Sequence, residues 1–225
     1  MVSLQEATLI EAVVFDLDGV LIDSEPVWAQ VREEVVVAHG GHWSPDAQPL
    51  MMGMSTAEWS AFMVADLGVQ LSPDEVARVV IEAMAERYRS HLPLLPGAVD
   101  SVRLMGSRFA LGLASSAPRS LIGTVLDASG LRSSFAAVRS TEEEARGKPA
   151  PDVYLTVARS LEVSPVSCAA VEDSSNGLRS AAAAGCAVIA VPRPEYPPGP
   201  DALALALLVL PGLQELTVDA VTALG

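Results

Sequence analysis

Two close pairs of acidic side chains stand out as groups able to do chemistry. Asp16 and Asp18 lie in VVFDLDGVLIDSE, where the i, i+2 spacing puts both on one face of an extended chain. Glu172 and Asp173 are adjacent in AVEDSSNG. Carboxylates this close repel each other unless a cation lies between them or one of them is protonated. Taken alone, each pair also fits solvated acids at a strand end or at a helix N-terminus.

Hydroxyl and basic groups occur at two further points. LASSAPRS contains Ser115 and Ser116, whose hydroxyls and backbone N–H groups suit an anion such as phosphate. Taken alone, this motif is better explained as the cap of a helix that begins near Pro118. Lys148, in a Gly-Lys-Pro turn, is the only lysine of the chain. Every other residue in the Lys+Arg count is an arginine. An ammonium is a compact point charge and a guanidinium is a wide planar fork, so this pattern indicates a site that needs the smaller cation.

Six short apolar runs alternate with helix-like segments and predict the framework that positions these groups. Continuous apolar runs are typical of strands buried on both faces, as in a doubly wound parallel α/β sheet covered by helices. The strands of such a sheet end at one edge, where ligands bind, so we expect the acids, Lys148 and the two serines to meet there. The predicted strands are 11–16, 108–116, 134–140, 168–173, 186–191 and 205–210.

Between the first two strands the sequence has helical patterns and no strand. We predict a core made of residues 1–26 plus 93–225, and an inserted all-helical domain of residues 27–92 that lies as a lid over the sheet edge. Pro93 and Pro96 act as stiff joints where the chain returns to the core. The predicted helices of the insertion are 25–41, 55–68 and 72–92.

The composition argues against several classes of function. A formal net charge of −14 disfavours nucleic acid or an anionic membrane surface as partner. The most apolar stretch, 202–213, is too short to span a bilayer and contains a proline. The N-terminal segment 1–12 has no signal-peptide pattern, and Cys168 and Cys186 lie in apolar runs without metal-binding spacing. We therefore predict a cytoplasmic protein with two buried thiols, and take a monomer as the default.

The four carboxylates together predict a metal site with oxygen ligands alone, since no His or Cys accompanies them. Such ligands favour a hard cation, and we predict Mg²⁺. Mg²⁺ beside a lysine and a hydroxyl turn is suited to phosphoryl chemistry.

The motifs VVFDLDGVLIDSE, LASSA, GKPAPD and VEDSSNGLRSAAAAG resemble, in order and spacing, the four motifs of the haloacid dehalogenase (HAD) superfamily. They are most similar to its phosphatase branch, which is close to β-phosphoglucomutase and phosphoglycolate phosphatase. The resemblance covers the whole core, and the helical insertion falls where that branch has its cap. It implies a Rossmann-like core with a helical cap and a Mg²⁺-dependent phosphoric monoester hydrolase.

The resemblance also implies catalytic roles. Asp16 would be the nucleophile that forms an aspartyl-phosphate, and Asp18 would be first the general acid and then the general base. Lys148 would reduce the repulsion between the nucleophile and the phosphate, and would stabilise charge in the transition state.

Binding roles follow from the same resemblance. Mg²⁺ would be bound by the Asp16 carboxylate, the Asp18 backbone carbonyl and Asp173, with Glu172 bound directly or through water. Ser115, the backbone N–H of Ser116 and the ammonium of Lys148 would hold phosphoryl oxygens.

Sister activities of the superfamily differ in residues that this sequence allows to be compared. Dehalogenases lack the second aspartate of the first motif, which is present as Asp18, and phosphonatases need a cap lysine, which is absent. β-Phosphoglucomutase has a His where this chain has Trp28, and an Arg where it has Thr56. Hydrolysis is therefore favoured, and a phosphosugar mutase of that type remains the alternative. A signalling receiver domain and a non-catalytic metabolite-binding protein also remain open.

We expect the cap to set specificity for a small phosphorylated metabolite of the phosphosugar monoester type. Trp28, Met54 and Ser55 are predicted to approach the leaving group, and Glu25 to hydrogen-bond a hydroxylated substrate. The apolar members of this set also fit ordinary packing of a cap core. Four cap arginines are expected on solvated helix faces: Arg32, Arg78, Arg87 and Arg89.

Overall fold

Six strands form a single parallel sheet, in the order β3-β2-β1-β4-β5-β6, in the computed structural model of this chain, which describes residues 9–225. The predicted parallel α/β fold is thereby confirmed, and each predicted strand range contains one strand of the sheet. The strands are β1 (Ala12–Phe15), β2 (Ala110–Ser115), β3 (Ala137–Ser140), β4 (Cys168–Glu172), β5 (Ala187–Ala190) and β6 (Leu208–Val209). The segment 1–8, part of the stretch for which we predict no signal peptide, lies outside the described residues.

The sheet is buried on both faces because alternate residues of its central strands point to two different cores. In β1, Val13 and Phe15 join one hydrophobic cluster, whereas Ala12 and Val14 join the other. Helices α5 (Ala98–Gly106) and α6 (Arg119–Ala128) cover the first face. Four further helices complete the fold, α7 and α8 on the second face and two short ones near the C-terminus: α7 (Asp152–Ser160), α8 (Ser175–Ala184), α9 (Pro200–Leu203) and α10 (Val218–Thr222).

Four helices lie between β1 and α5, and we call them the helical insertion: α1 (Glu25–Ala38), α2 (Ala47–Met51), α3 (Thr56–Ala65) and α4 (Pro73–Ser90). α3 and α4 each begin with a capping box, in which Ser55 pairs with Glu58 and Ser72 with Glu75. The sequence patterns did not indicate α2, a helix of five residues. The division of the chain into a core of 1–26 plus 93–225 and a cap of 27–92 stays a prediction.

The chain enters and leaves the insertion at neighbouring positions. Ile22 forms an antiparallel bridge with Leu94, and the backbone N–H of Asp23 donates to the carbonyl of Pro93 at 2.8 Å. Before this crossing the chain turns sharply at Gly19, whose φ of +76° lies in the left-handed region that favours glycine. The turn brings the two linkers together directly beside the end of β1.

Within residues 9–225, no helix has both the length and the apolar character required to cross a bilayer. Cys168 and Cys186 are both buried free thiols, as predicted. The cytoplasmic location and the monomeric state stay predictions.

Candidate active site

The predicted core residues meet at the C-terminal edge of the sheet. Asp16 directly follows β1, Ser115 ends β2, and Glu172 ends β4. β1 lies between β2 and β4, so these three strand ends are neighbours in the sheet. The chain continues from β1 to β2 on one side and later returns to β4 on the other. This change of direction creates the crevice in which doubly wound sheets bind ligands.

Lys148 occupies the centre of this edge, brought there by the loop that follows β3. Its ammonium donates to Asp16 Oδ1 at 2.8 Å, to Glu172 Oε1 at 2.6 Å and to the carbonyl of Ala114 at 2.9 Å. Only 5% of the side chain is exposed. Three acceptors around one nitrogen suit the tetrahedral donors of an ammonium, whereas a planar guanidinium would need a wider space.

Glu172 is fully buried, and both of its carboxylate oxygens accept hydrogen bonds within the protein. Oε1 also accepts from the hydroxyl of Tyr154 at 2.6 Å, while Oε2 accepts from the backbone N–H of Asp173 at 3.2 Å. The helix that follows packs tightly on this carboxylate, since a Cβ added at Gly177 would lie 1.9 Å from Oε2. The contact of Tyr154 could not be predicted from the sequence, because its position on α7 looks like that of any core aromatic residue.

Three carboxylates form a candidate metal centre. Asp16, Glu172 and Asp173 each offer an oxygen atom, and these atoms all lie within 4.8 Å of one another. The turn at Gly19 closes on the same group, since a Cβ there would lie 1.9 Å from Asp173 Oδ2. A cluster of oxygen donors without nitrogen or sulfur suits a hard divalent cation such as Mg²⁺. The carboxylate of Asp18 is not part of this cluster.

Burial and mutual repulsion shift the pKa values of the acids. Burial, the largest cause, and the neighbouring Glu172 carboxylate raise the pKa of Asp16 to about 7, and the same causes raise the pKa of Asp173 well above its usual range. Burial also raises the pKa of Asp18. For Lys148, burial alone would lower the pKa, but the carboxylates of Asp16 and Glu172 outweigh it and raise the pKa. The site therefore concentrates negative charge that calls for a cation in addition to Lys148.

Ser115 and Ser116 have different environments. The hydroxyl of Ser115 is buried, accepts from the backbone N–H of Ala117 at 3.0 Å and donates to Asp18 Oδ2 at 3.4 Å. Ser116 is exposed and lines the cavity above the sheet edge. Neither serine caps a helix, because the N-cap of α6 is Pro118. The two serines therefore face the acids and the cavity, as expected for groups near a bound anion.

A cavity of about 490 Å³ lies between the sheet edge and the helical insertion. Asp16, Asp18, Lys148 and Asp173 line it from the sheet side. From the insertion side, three of the four predicted specificity residues line it: Glu25, Trp28 and Met54. Ser55 does not line it and is an exposed N-cap whose hydroxyl donates to Glu58 at 2.7 Å.

The expected exposure of Arg32 is wrong, because only 5% of this residue is accessible. Its guanidinium packs against two indole rings, 4.6 Å from the centroid of Trp28 and 5.1 Å from that of Trp59. The other three cap arginines pair with acids on exposed helix faces, as expected: Arg78, Arg87 and Arg89. The sequence pattern of α1 does not show that Arg32 is buried whereas the other three arginines are not, because the side chains that cover Arg32 come from other turns and other helices.

A polar chain joins Arg32 to Glu25 inside the insertion. Arg32 Nη1 donates to Gln48 Oε1 at 3.1 Å, and Gln48 Nε2 donates to Glu25 Oε2 at 2.7 Å. Burial lowers the pKa of Arg32 to about 10, so the side chain remains cationic at neutral pH. Arg193 also lines the cavity, from the loop after β5, 3.3 Å from Asp23 Oδ1. Neither Gln48 nor Arg193 is among the site residues predicted from the sequence.

The chain is similar in sequence and fold to known hydrolases, among them proteins named as phosphatases. A family model described as haloacid dehalogenase-like hydrolase matches residues 10–185. The chain is 38% identical over 212 residues to "Hexitol phosphatase B" of Escherichia coli (strain K12), across 92% of this chain and 94% of that protein. It is 30% identical over 176 residues to the "Phosphorylated carbohydrates phosphatase" of Thermotoga maritima, across 78% and 82% of the two chains. Among solved structures, CbbY from Rhodobacter sphaeroides in complex with phosphate has a TM-score of 0.85 and 26% identity, with coverage of 96% and 100%.

Proposed function

The chain belongs to the haloacid dehalogenase-like hydrolase family and is a phosphoric monoester hydrolase; on that premise we propose that it is a Mg²⁺-dependent phosphatase of small phosphorylated sugars or sugar alcohols. In this proposal the reaction passes through a phosphorylated Asp16. The observation that supports it most strongly is the cluster of Asp16, Lys148, Glu172 and Asp173, in which Glu172 is fully buried and the other three line the cavity. This cluster sets a nucleophile, a cation and metal-ligand oxygens side by side.

The oxygen donors at the sheet edge fit a magnesium ion. The carboxylates of Asp16 and Asp173 and the backbone carbonyl of Asp18 would hold it, with Glu172 bound directly or through water. When bound, Mg²⁺ neutralises charge on the phosphoryl group. Glu172 already accepts hydrogen bonds at both oxygens, so its main contribution in this proposal is to orient Lys148.

In the first half of the reaction, a carboxylate oxygen of Asp16 attacks phosphorus and the bond between phosphorus and the leaving oxygen breaks. Asp18 gives its proton to the leaving oxygen, so that the sugar departs as a neutral alcohol. Lys148 lies 2.8 Å from Asp16, where its charge reduces the repulsion between the carboxylate and the incoming phosphate.

In the second half, Asp18 acts as a base. It takes a proton from a water molecule, whose oxygen attacks the phosphorus of the aspartyl-phosphate, and the bond to Asp16 breaks. Inorganic phosphate leaves, and both aspartates return to their starting states. Ser115 and the backbone N–H of Ser116 hold phosphoryl oxygens through both halves, since they lie beside Asp18 and the cavity.

The choice of substrate class is supported by the size and the lining of the cavity. A volume of about 490 Å³ accommodates a small sugar phosphate, and Glu25 and Trp28 line its far side. The names of the two curated relatives refer to hexitols and to phosphorylated carbohydrates. The mutase alternative lacks such support, because Thr56 replaces the arginine of that branch and donates to Glu142 at 2.7 Å.

The test is phosphate release with Mg²⁺ from a panel of hexitol phosphates, hexose phosphates, phosphoglycolate and nucleoside monophosphates. We expect sugar or sugar-alcohol phosphates to rank first, and Asp16→Asn to be inactive. Asp66→Asn, at an exposed helix end, is the matched control and should keep normal turnover. Rapid quenching followed by mass spectrometry should find one phosphoryl group on Asp16. Turnover by the Asp16→Asn protein would contradict the proposed mechanism.

A further inference from the structure

Arg32 uses only part of its hydrogen-bonding capacity within the protein. Nη1 donates to Gln48, whereas neither Nε nor Nη2 has an acceptor among residues 9–225. Nε is enclosed by the protein, so Nη2 is the donor that a ligand in the cavity can reach. An unpaired guanidinium donor in a cavity wall is free to bind an acceptor atom of a ligand. The residue is nine-tenths buried and lines the cavity.

Glu25 offers the complementary atom. Its Oε2 accepts from Gln48, while Oε1 accepts no hydrogen bond from the described part of the chain. Gln48 thus joins a donor side chain and an acceptor side chain on the same wall of the cavity. A hydroxyl group is both donor and acceptor, so adjacent hydroxyls of one ligand can satisfy both side chains.

The charges of the cavity wall point to a neutral occupant here. Its three cations each face an acid: Lys148 beside Asp16, Arg193 beside Asp23, and Arg32 joined through Gln48 to Glu25. Two further lining acids, Asp18 and Asp173, have no such cation. Among the described residues that line the cavity, none is an unmatched cation able to receive a second phosphate.

We propose that Arg32 and Glu25, joined by Gln48, form a polyol subsite that binds hydroxyl groups of the leaving group and rejects a second anionic group. The proposal rests on the proposed function and names its substrate class more narrowly, as a monophosphate whose remainder is a neutral polyol. Arg32 and Glu25 are specificity residues that contact substrate, and Gln48 is a positioning residue that acts through them. The indole of Trp28 holds the guanidinium in place and adds an apolar surface for carbon atoms of the polyol.

The experiment compares three phosphate donors: a hexitol monophosphate, a hexose bisphosphate and acetyl phosphate, which has no hydroxyl group. For Arg32→Met we expect kcat/KM for the hexitol monophosphate to fall about 10- to 100-fold below the wild-type value, chiefly because KM rises. The ratio of kcat/KM for the hexitol monophosphate to kcat/KM for acetyl phosphate should fall at least about tenfold. Arg32→Lys keeps the charge and the stem but loses the planar guanidinium, and should show the same relative loss. It provides the test if the Arg32→Met protein folds poorly.

Glu25→Gln provides a second, opposite test. The amide still accepts from Gln48, but the charge of Arg32 is no longer matched, so the subsite gains a net positive charge. We expect kcat/KM for the bisphosphate to rise about tenfold relative to the monophosphate, because the free guanidinium attracts the second phosphate. Gln48→Leu should raise KM for the hexitol monophosphate and leave kcat within a factor of about three, as expected for a positioning residue.

Arg78→Met is the matched control, since Arg78 is an exposed cap arginine that pairs only with Glu82, and it should change none of these ratios. Equal losses on all three donors in the Arg32 variants would overturn the proposal and leave the guanidinium a packing role. So would a wild-type preference for the bisphosphate. Failure of the proposed function is distinguishable, because the wild-type protein would then release no phosphate from the hexitol monophosphate or the hexose bisphosphate, whatever its activity on acetyl phosphate.

Discussion

Lys148 is expected to contribute separately to stability and to reactivity, and two substitutions distinguish these contributions. Methionine removes the charge and keeps a long apolar stem, whereas arginine keeps the charge and changes its shape. The ammonium lies 2.8 Å from Asp16 and 2.6 Å from Glu172, and the exposed fractions of these carboxylates are 8% and 0%. Water cannot replace the ammonium at Glu172, which is fully buried and does not line the cavity.

The structure gives the expected size of the stability effect. Removing one partner of a buried ion pair leaves uncompensated charge and costs about 3–5 kcal/mol of unfolding free energy. Lys148→Met is therefore expected to lose about that amount. Lys148→Arg retains the counter-charge and should lose only the cost of overpacking, about 1–3 kcal/mol. Urea unfolding in the presence of a chelator measures both, because bound Mg²⁺ would otherwise supply part of the missing charge.

Activity is expected to follow a different order. Both variants lose a donor placed where charge develops, which typically lowers kcat by about 10²–10³, or about 2.7–4 kcal/mol. The two variants should thus be similarly inactive in phosphate release while differing in stability. Near-normal kcat for Lys148→Arg would refute the argument from ammonium geometry. A Lys148→Met protein as stable as the wild type would refute the argument from buried charge.

Three other perturbations test the neighbouring contacts. Tyr154→Phe removes the hydroxyl that donates to Glu172 at 2.6 Å. It is expected to lower the free energy of unfolding, measured by urea titration, by about 1.5–3 kcal/mol. A loss near zero would mean that this hydrogen bond does not contribute to stability. Gly19→Ala places a Cβ 1.9 Å from Asp173 Oδ2 and should raise the Mg²⁺ concentration for half-maximal activity at least about tenfold. Gly68→Ala is its control, because Gly68 has a similar φ of +75° but no atom lies within 4 Å of an added Cβ. This variant should therefore show backbone strain alone, measured as lost stability without a change in Mg²⁺ dependence. Chelation by EDTA should abolish turnover, and added Mg²⁺ should restore it; activity that survives dialysis against EDTA would exclude the metal requirement.

The positions of the site residues at the sheet edge could be predicted because strand direction alone determines them. Asp16, Ser115 and Glu172 end or directly follow strands that run parallel, so their convergence needs only the apolar runs and the rule that such strands end together. Lys148 was singled out by composition, since no other lysine occurs in the chain. In these cases the local sequence contains the whole signal.

Residues whose environment depends on packing between helices were missed. Arg32 is buried by Trp59 and Gln48, which belong to α3 and α2, and nothing within α1 indicates that those side chains reach it. Tyr154 reaches Glu172 only because α7 packs on the second face of the sheet. α2 itself is too short for an amphipathic period to be recognised, and it contains a proline.

The paired linkers at Ile22 and Leu94 have a consequence for how such a protein can diversify. A segment whose two ends lie side by side can be exchanged for another of similar end-to-end distance without moving the chain around it. None of the hydrogen bonds that hold Lys148 comes from residues 25–92. A graft between Asp23 and Pro93 is therefore expected to keep the hydrogen bonds of Lys148, if the new segment also covers the apolar side chains of α6 against which α4 packs.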